Sequence, residues 1–222
     1  MVMDKERIAV FDLDGTLING QSQQHLIKLL LDYRLISYLS YFKLLAVFIL
    51  YHLRIVKDMN KIVRYAYTLL RGIKAKEIEN VIDQNRSALL KKIYRESNAL
   101  VNYEINSRSE MYLLSASVDP IVSFYSTHLS INRYYCTQLE IKNGIVTGNL
   151  IGLRLYGAEK ARKLEQIIGD RDRHNLHIVC YTDHVSDIEL AKMADETVLV
   201  NPDKTMRRIA RVNKWRILRF SS

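Results

Sequence analysis

Short apolar runs bounded by polar residues recur along the chain and predict buried strands. Three of them cover residues 7–11, 110–115 and 176–182. Continuous apolar runs of this length are typical of strands covered on both faces of a parallel sheet. From residue 111 onward such strands alternate with helical patterns, so we predict an α/β fold with a central, mostly parallel sheet. Asn143-Gly144, between two further apolar runs, predicts a hairpin with a type I′ turn.

The stretch between residues 21 and 101 has a different pattern, with apolar residues at helical spacing, no proline and a single glycine. This pattern predicts an all-helical insertion of four helices. The predicted division is therefore an α/β core made of residues 1–19 and 106–222, and a helical cap made of residues 20–105.

The segment 35–53 within this insertion is unusually apolar, with 15 apolar residues among its 19. Lys43 lies near its middle, and the longest run without a charge is shorter than the roughly 20 residues that span a bilayer. We expect a cap helix buried inside its bundle. The alternative is a helix that lies in the membrane interface, since basic residues follow the segment directly.

Positive charge is concentrated in the insertion. The chain carries a net charge of +9, and residues 20–105 hold 14 Lys and Arg against 7 Asp and Glu. Such a cap would attract anionic substrates or rest peripherally on an anionic membrane, and an ordinary solvated face is the alternative. A basic stretch near the C-terminus has few aromatic residues for stacking, so nucleic acid is a less favoured partner.

The two cysteines, Cys136 and Cys180, lie inside apparent strands. No leader pattern is visible at the N-terminus, and we expect both thiols to be reduced core residues. The expected location is cytoplasmic, with peripheral contact on the inner face of the membrane as an extension of the interface alternative.

Polar residues that could take part in catalysis or binding follow the predicted strands or lie at the start of a predicted helix. Two carboxylates that follow a strand at alternate positions can converge at the carboxyl edge of the sheet, where open α/β folds bind ligands. Gly15 allows a tight turn there with free backbone N–H groups. The candidate site residues are Asp12, Asp14, Thr16, Ser115, Lys160, Asp183 and Asp187.

The order of these motifs resembles the haloacid dehalogenase superfamily, and within it the phosphoserine-phosphatase-like branch, whose helical cap follows the first motif. The resemblance covers almost the whole chain and includes the interval of 23 residues from Lys160 to Asp183. It implies a Rossmann-like core and a phosphomonoester hydrolase. By this resemblance Asp12 is the nucleophile that forms an aspartyl-phosphate, and Asp14 is the general acid and later the base.

The same resemblance implies a magnesium site and a phosphate site. Mg²⁺ would be held by the Asp12 carboxylate, the Asp14 backbone carbonyl and Asp183, while Asp187 would ligate through water or orient that shell. Ser115 and Lys160 would hold the phosphoryl group, with Lys160 also neutralising the nucleophile. Thr16 would fix the loop at the phosphate site.

The substrate is less constrained by the sequence. Phosphoserine phosphatases carry a glutamate where this chain has Gln21, so the carboxylate that would bind a substrate ammonium is missing and we expect poor activity on phosphoserine. An apolar stretch with a basic flank just after the first motif resembles the layout of the bacterial phosphatidylglycerophosphatases. This favours a lipid-linked or otherwise amphiphilic phosphomonoester.

Three alternatives stay open at this point. They are a soluble phosphatase for a sugar, polyol or nucleotide phosphate, a nucleic-acid end phosphatase, and a non-catalytic binding module. The last is disfavoured because all charged positions of the motifs are occupied.

Overall fold

A computed structural model of the chain describes residues 5–53 and 59–221. Seven strands form one sheet with the order β4-β3-β2-β1-β5-β6-β7, and every neighbouring pair except β3 and β4 is parallel. This confirms the predicted α/β fold. The strands are β1 (Glu6–Phe11), β2 (Glu110–Val118), β3 (Arg133–Lys142), β4 (Ile145–Ile151), β5 (Leu176–Thr182), β6 (Glu196–Val200) and β7 (Arg216–Leu218).

Helices connect the parallel strands and fill the insertion. Between β1 and β2 the described residues form six helices, where the sequence predicted four: α1 (Ser22–Asp32), α2 (Tyr38–His52), α3 (Met59–Thr68), α4 (Ala75–Gln84), α5 (Arg86–Leu90) and α6 (Arg95–Asn106). The boundary between core and cap stays a prediction. The later helices are α7 (Asp119–His128), α8 (Ala158–Ile168), α9 (Ile188–Met193) and α10 (Lys204–Asn213).

Strand β1 occupies the centre of the sheet, and residues 8–11 are completely buried. Because helices cover both faces of a parallel sheet, such a strand must be apolar on both sides. Strands β2 and β5 pair with β1 in parallel, so all three deliver their carboxyl ends to the same edge. The predicted site residues Asp12, Asp14 and Asp183 come directly after strands that end at this edge.

Strands β3 and β4 form the predicted hairpin. Asn143 and Gly144 both have positive φ, at 51° and 78°, as a type I′ turn requires. The sequence placed the end of β2 at Ser115, but the strand continues to Val118 through an irregular register against β3. Cys136 and Cys180 are buried free thiols, as expected, and burial raises the pKa of both.

Helix α2 is exposed, so the expectation of a helix buried inside the cap is wrong. Leu44 is buried, but Leu39, Phe42 and Ile49 are each 60% or more exposed. Four more large apolar side chains of this stretch are also exposed: Tyr38, Leu45, Leu50 and Leu53. Within the described residues no helix has both the length and the apolarity to cross a bilayer. The result is an uncovered apolar face on the insertion.

Candidate active site

A cavity of about 140 Å³ opens at the carboxyl edge of the sheet. The loop after β1, the end of β2, the loop before α8 and the loop after β5 each contribute to its wall. Its lining residues are Asp12, Asp14, Gln21, Gln23, Ala116, Ser117, Arg154, Tyr156, Lys160, Asp183, His184 and Ser186. Four of the seven residues predicted from the sequence therefore line one cavity, namely Asp12, Asp14, Lys160 and Asp183.

Lys160 lies between two carboxylates. In the first turn of α8 its Nζ donates to Asp12 Oδ1 at 2.7 Å and to Asp187 Oδ2 at 2.8 Å, and all three residues are buried. Burial raises the pKa of Asp12 well above its ordinary value, while the charge of Lys160 acts in the opposite direction. Burial alone would lower the pKa of Lys160, but the charges of Asp12 and Asp187 raise it. Lys160 is thus held as a cation beside Asp12.

Asp14 is attached to the first helix of the insertion. Its Oδ1 accepts a hydrogen bond of 2.7 Å from the backbone N–H of Ser22, the first residue of α1, and Ser117 Oγ lies 3.4 Å from its Oδ2. Burial raises the pKa of Asp14 although these hydrogen bonds oppose the shift. A carboxyl group with a raised pKa is suited to donate a proton near neutral pH.

Asp183 packs against the backbone of the loop that follows β1. Gly15 has a positive φ of 78°, and a Cβ on it would stand 2.2 Å from Asp183 Oδ2, so the turn and the close approach both require glycine. The hydroxyl of Thr16 donates to Asp183 Oδ1 at 3.4 Å. Burial raises the pKa of Asp183 to about 6. Thr16 is completely buried and connects the two loops, and its role at the phosphate site stays a prediction.

Asp187 stands behind the cavity. It is completely buried and is the last residue of a short 3₁₀ turn after β5, Val185–Asp187. Its Oδ2 also accepts from Thr182 Oγ1 at 3.0 Å, and its Oδ1 accepts from Ser186 Oγ at 3.2 Å. Protein donors thus contact both oxygens of Asp187, and its role beside a metal, through water or by orienting the shell, stays a prediction.

Ser115 lies deeper than the sequence suggested. It is completely buried, and its Oγ accepts from the backbone N–H of Ser117 at 3.1 Å. Because β2 continues past Ser115, Ala116 and Ser117 are the residues that reach the cavity. The phosphate-binding role of Ser115 stays a prediction, and Ser117 is a hydroxyl at the cavity wall that sequence reasoning missed.

The donors at the cavity suit a hard divalent cation. The carboxylates of Asp12, Asp14 and Asp183 line one cavity. Burial raises the pKa of all three, and a bound cation would counteract that effect by stabilising the ionised carboxylates. Across residues 5–53 and 59–221, no three His, Cys, Asp or Glu side chains converge as a ready-made metal site. A site with two carboxylates, one backbone carbonyl and bound water needs no such trio, and Mg²⁺ commonly keeps several waters.

Arg154 and Tyr156 are the other wall residues that sequence reasoning missed. Both lie in the loop between β4 and α8, and the Arg154 guanidinium carbon is 4.4 Å from the centroid of the Tyr156 ring. No strand end or helix start marks them in the sequence. His184 lines the cavity with an exposed ring whose Nδ1 accepts from the backbone N–H of Ser186 at 3.1 Å.

Residues 9–192 match the haloacid dehalogenase-like hydrolase family. Among curated proteins, the phosphoserine phosphatase SerB1 of Mycobacterium tuberculosis is 23% identical over 98% of this chain and 72% of its own length.

Two solved structures share the fold. One is a protein of unknown function from Bordetella pertussis Tohama I, with a TM-score of 0.86, 17% identity, and coverage of 96% of this chain and 98% of the other. The second is a phosphoserine phosphatase solved as a phospho-aspartyl intermediate analogue, with a TM-score of 0.65, 16% identity, and coverage of 96% and 92%.

Proposed function

The chain belongs to the haloacid dehalogenase-like hydrolase family and is a phosphatase, and from this premise we propose that it hydrolyses phosphomonoesters through an aspartyl-phosphate on Asp12. The observation that carries the proposal is the pairing of Asp12 with Lys160 at the wall of the cavity. Lys160 Nζ donates a hydrogen bond to Asp12 Oδ1, and among the described residues Asp12 Oδ2 has no hydrogen-bond partner. Oδ2 is therefore the oxygen that is free to attack phosphorus.

The proton transfers are assigned to Asp14. Asp12 Oδ2 forms a bond to phosphorus while the ester oxygen leaves and takes the proton of the Asp14 carboxyl group. Asp14 then accepts a proton from water as the water oxygen bonds to phosphorus, and the break of the Asp12–phosphorus bond releases inorganic phosphate. The raised pKa of Asp14 supports this assignment, because the group must be protonated in the first step.

Charge stabilisation comes from Lys160 and from a proposed Mg²⁺. Lys160 offsets the negative charge of Asp12 and of the phosphoryl oxygens as the substrate arrives. We assign the ion to the Asp12 carboxylate, the Asp14 carbonyl and Asp183, with Asp187 orienting Lys160 behind them. When bound, Mg²⁺ would neutralise phosphoryl charge and reduce repulsion between the substrate and the carboxylates.

An amphiphilic phosphomonoester, with the insertion resting on an anionic membrane, is the proposed substrate class. The exposed apolar face of α2 supports this proposal. The sequence from residue 33 to residue 64 holds six basic residues and one acidic residue, which adds electrostatic attraction to anionic lipid. A soluble sugar, polyol or nucleotide phosphate is the second candidate, favoured by the small, polar cavity.

The test of the proposed function is Mg²⁺-dependent phosphate release from phosphatidylglycerophosphate in mixed micelles, with phosphoserine as the comparison. We expect at least a roughly tenfold higher kcat/KM for the lipid, because Gln21 and Gln23 offer no carboxylate to the phosphoserine ammonium group. A chelator should abolish release and added Mg²⁺ should restore it. Preference for phosphoserine would refute the substrate proposal, and full activity without a divalent ion would refute the metal assignment.

Membrane contact through α2 has its own test. The triple variant Leu39→Ser, Phe42→Ser, Ile49→Ser should bind anionic vesicles roughly 100-fold more weakly than the unchanged protein. Each substitution removes apolar side-chain surface that would be buried in the membrane interface. Sedimentation with phosphatidylglycerol vesicles at low salt measures this. A matched control changes three exposed apolar residues of the hairpin region, Ile141, Ile151 and Leu153, to Ser. Equal loss in both variants, or no binding by the unchanged protein, would contradict α2 as the docking element.

A further inference from the structure

Arg154 is a cation at the cavity wall that the proposed chemistry does not use. Its buried Nε has no hydrogen-bond partner among the described residues, although the side chain as a whole is only partly buried. Leaving a buried guanidinium N–H without an acceptor costs free energy. Arg154 Nε is therefore a buried donor without an acceptor in the described part of the chain.

The position of Arg154 is fixed by its neighbours on both sides. Leu155 is buried and donates its backbone N–H to Thr137 Oγ1 at 3.2 Å, and this hydroxyl donates to the Ala116 carbonyl at 2.8 Å. The loop is thereby tied to the end of β2 at the cavity. On the other side, the ring of Tyr156 packs under the guanidinium group at 4.4 Å. Arg154 is thus held beside the cavity by its own loop.

Lys160 and Arg154 differ in how much of their charge is already neutralised. Lys160 has two carboxylate partners, at 2.7 and 2.8 Å. Arg154 has no ion-pair partner in the described part of the chain, and its nearest aromatic neighbour supplies no full charge. The positive charge still available at the cavity wall is therefore that of Arg154.

We propose that Arg154 forms a subsite for a second anionic group, located on the alcohol part of the substrate. The planar guanidinium group is suited to bidentate recognition of a carboxylate or a phosphate. Gln21 and Gln23, which line the same cavity, are neutral and do not compete with a second anionic group for this guanidinium group. The substrate class is thus a phosphomonoester whose alcohol carries a carboxylate or a second phosphate. This inference rests on the proposed function, because it names the substrate of the same site.

Two pairs of esters test the subsite and distinguish the sources of the anion. 3-Phosphoglycerate and glycerol 3-phosphate differ by one carboxylate, and phosphatidylglycerophosphate and phosphatidate in mixed micelles differ by a glycerol phosphodiester. We expect Arg154→Gln to lower kcat/KM roughly 10- to 100-fold for the more anionic member of at least one pair, and less than about threefold for its partner. Loss confined to the lipid pair assigns the anion to a lipid headgroup, and loss confined to the soluble pair assigns it to a free acid.

Each ester is also measured as a competitive inhibitor of p-nitrophenyl phosphate hydrolysis, so that binding is recorded even for an ester that is turned over slowly. Arg154→Lys should recover part of the selectivity, and Arg162→Gln, on the exposed face of α8, should change nothing. Equal loss for both members of each pair would place Arg154 at the transferring phosphoryl group and overturn the proposal. An unchanged selectivity would overturn it as well. Failure of the proposed function would be recognised separately, as turnover that survives Asp12→Asn.

Discussion

Replacing Asp12 with Asn is expected to lower phosphate release by a factor on the order of 10⁴ or more, because removal of a nucleophile eliminates the covalent route. The variant should remain folded. Asn has nearly the same shape, and its amide oxygen can still accept the hydrogen bond that Lys160 Nζ now donates to Asp12 Oδ1. Phosphate release with p-nitrophenyl phosphate measures the effect, and circular dichroism measures the fold.

Asp170→Asn is the matched control, since Asp170 is exposed after α8 and does not line the cavity. Brief acid quenching followed by mass spectrometry should find a phosphoryl group on the peptide that contains Asp12 in the unchanged protein and on no peptide of the Asp12→Asn variant. Retained turnover in a folded Asp12→Asn variant would refute the assignment of Asp12 as the nucleophile.

Replacing Lys160 with Met is expected to lower the free energy of unfolding by about 3–5 kcal/mol, because removal of one partner leaves buried charges uncompensated. Here the uncompensated charges are those of Asp12 and Asp187, both buried. Activity should also be lost, since the cation beside the nucleophile is gone. Urea unfolding at a series of pH values measures the stability.

The pH dependence of this variant has a definite sign. Loss of the Lys160 charge removes a contribution that lowers the pKa of Asp12, so the folded-state value rises further above the ordinary 3.8. A carboxyl group whose pKa is higher in the folded state than in the unfolded state stabilises the protein at low pH, and that stability is lost as pH rises. The deficit of Lys160→Met relative to the unchanged protein should therefore be small near pH 4 and grow toward neutral pH. Lys192→Met, at an exposed position of α9, is the control. A deficit that does not depend on pH would show that packing rather than charge is the cause.

The parts of the fold that were predictable are those that depend on short-range patterns. Buried parallel strands require apolar residues on both faces, so β1 and β5 were visible as apolar runs, and Asp12 and Asp183 followed directly from their ends. The Asn143-Gly144 turn was predictable because both positions need positive φ. Lys160 was found because it opens a helix.

The parts that were missed depend on packing between distant segments. An irregular register between β2 and β3 carries β2 past Ser115, and no local pattern in residues 110–118 indicates it. Helix α2 is apolar nearly all round, which predicts burial in a globular protein, yet Leu39, Phe42 and Ile49 are exposed. Arg154 reaches the cavity because Thr137 and Ala116 hold the next residue of its loop, a contact across 18 positions of the chain.

The hydrogen bond between Asp14 and the first residue of α1 makes the acidity of this proposed proton donor depend on the position of the insertion. The Ser22 N–H stabilises the ionised form of Asp14, so withdrawal of α1 by an ångström or two would weaken that bond and raise the pKa of Asp14. Helices α1 and α2 follow one another in the same insertion. A surface that pulls on α2 would therefore change the protonation equilibrium of the reaction centre without touching it. At the membrane contact proposed for α2, activation would then take the form of a shift along the pH–rate profile.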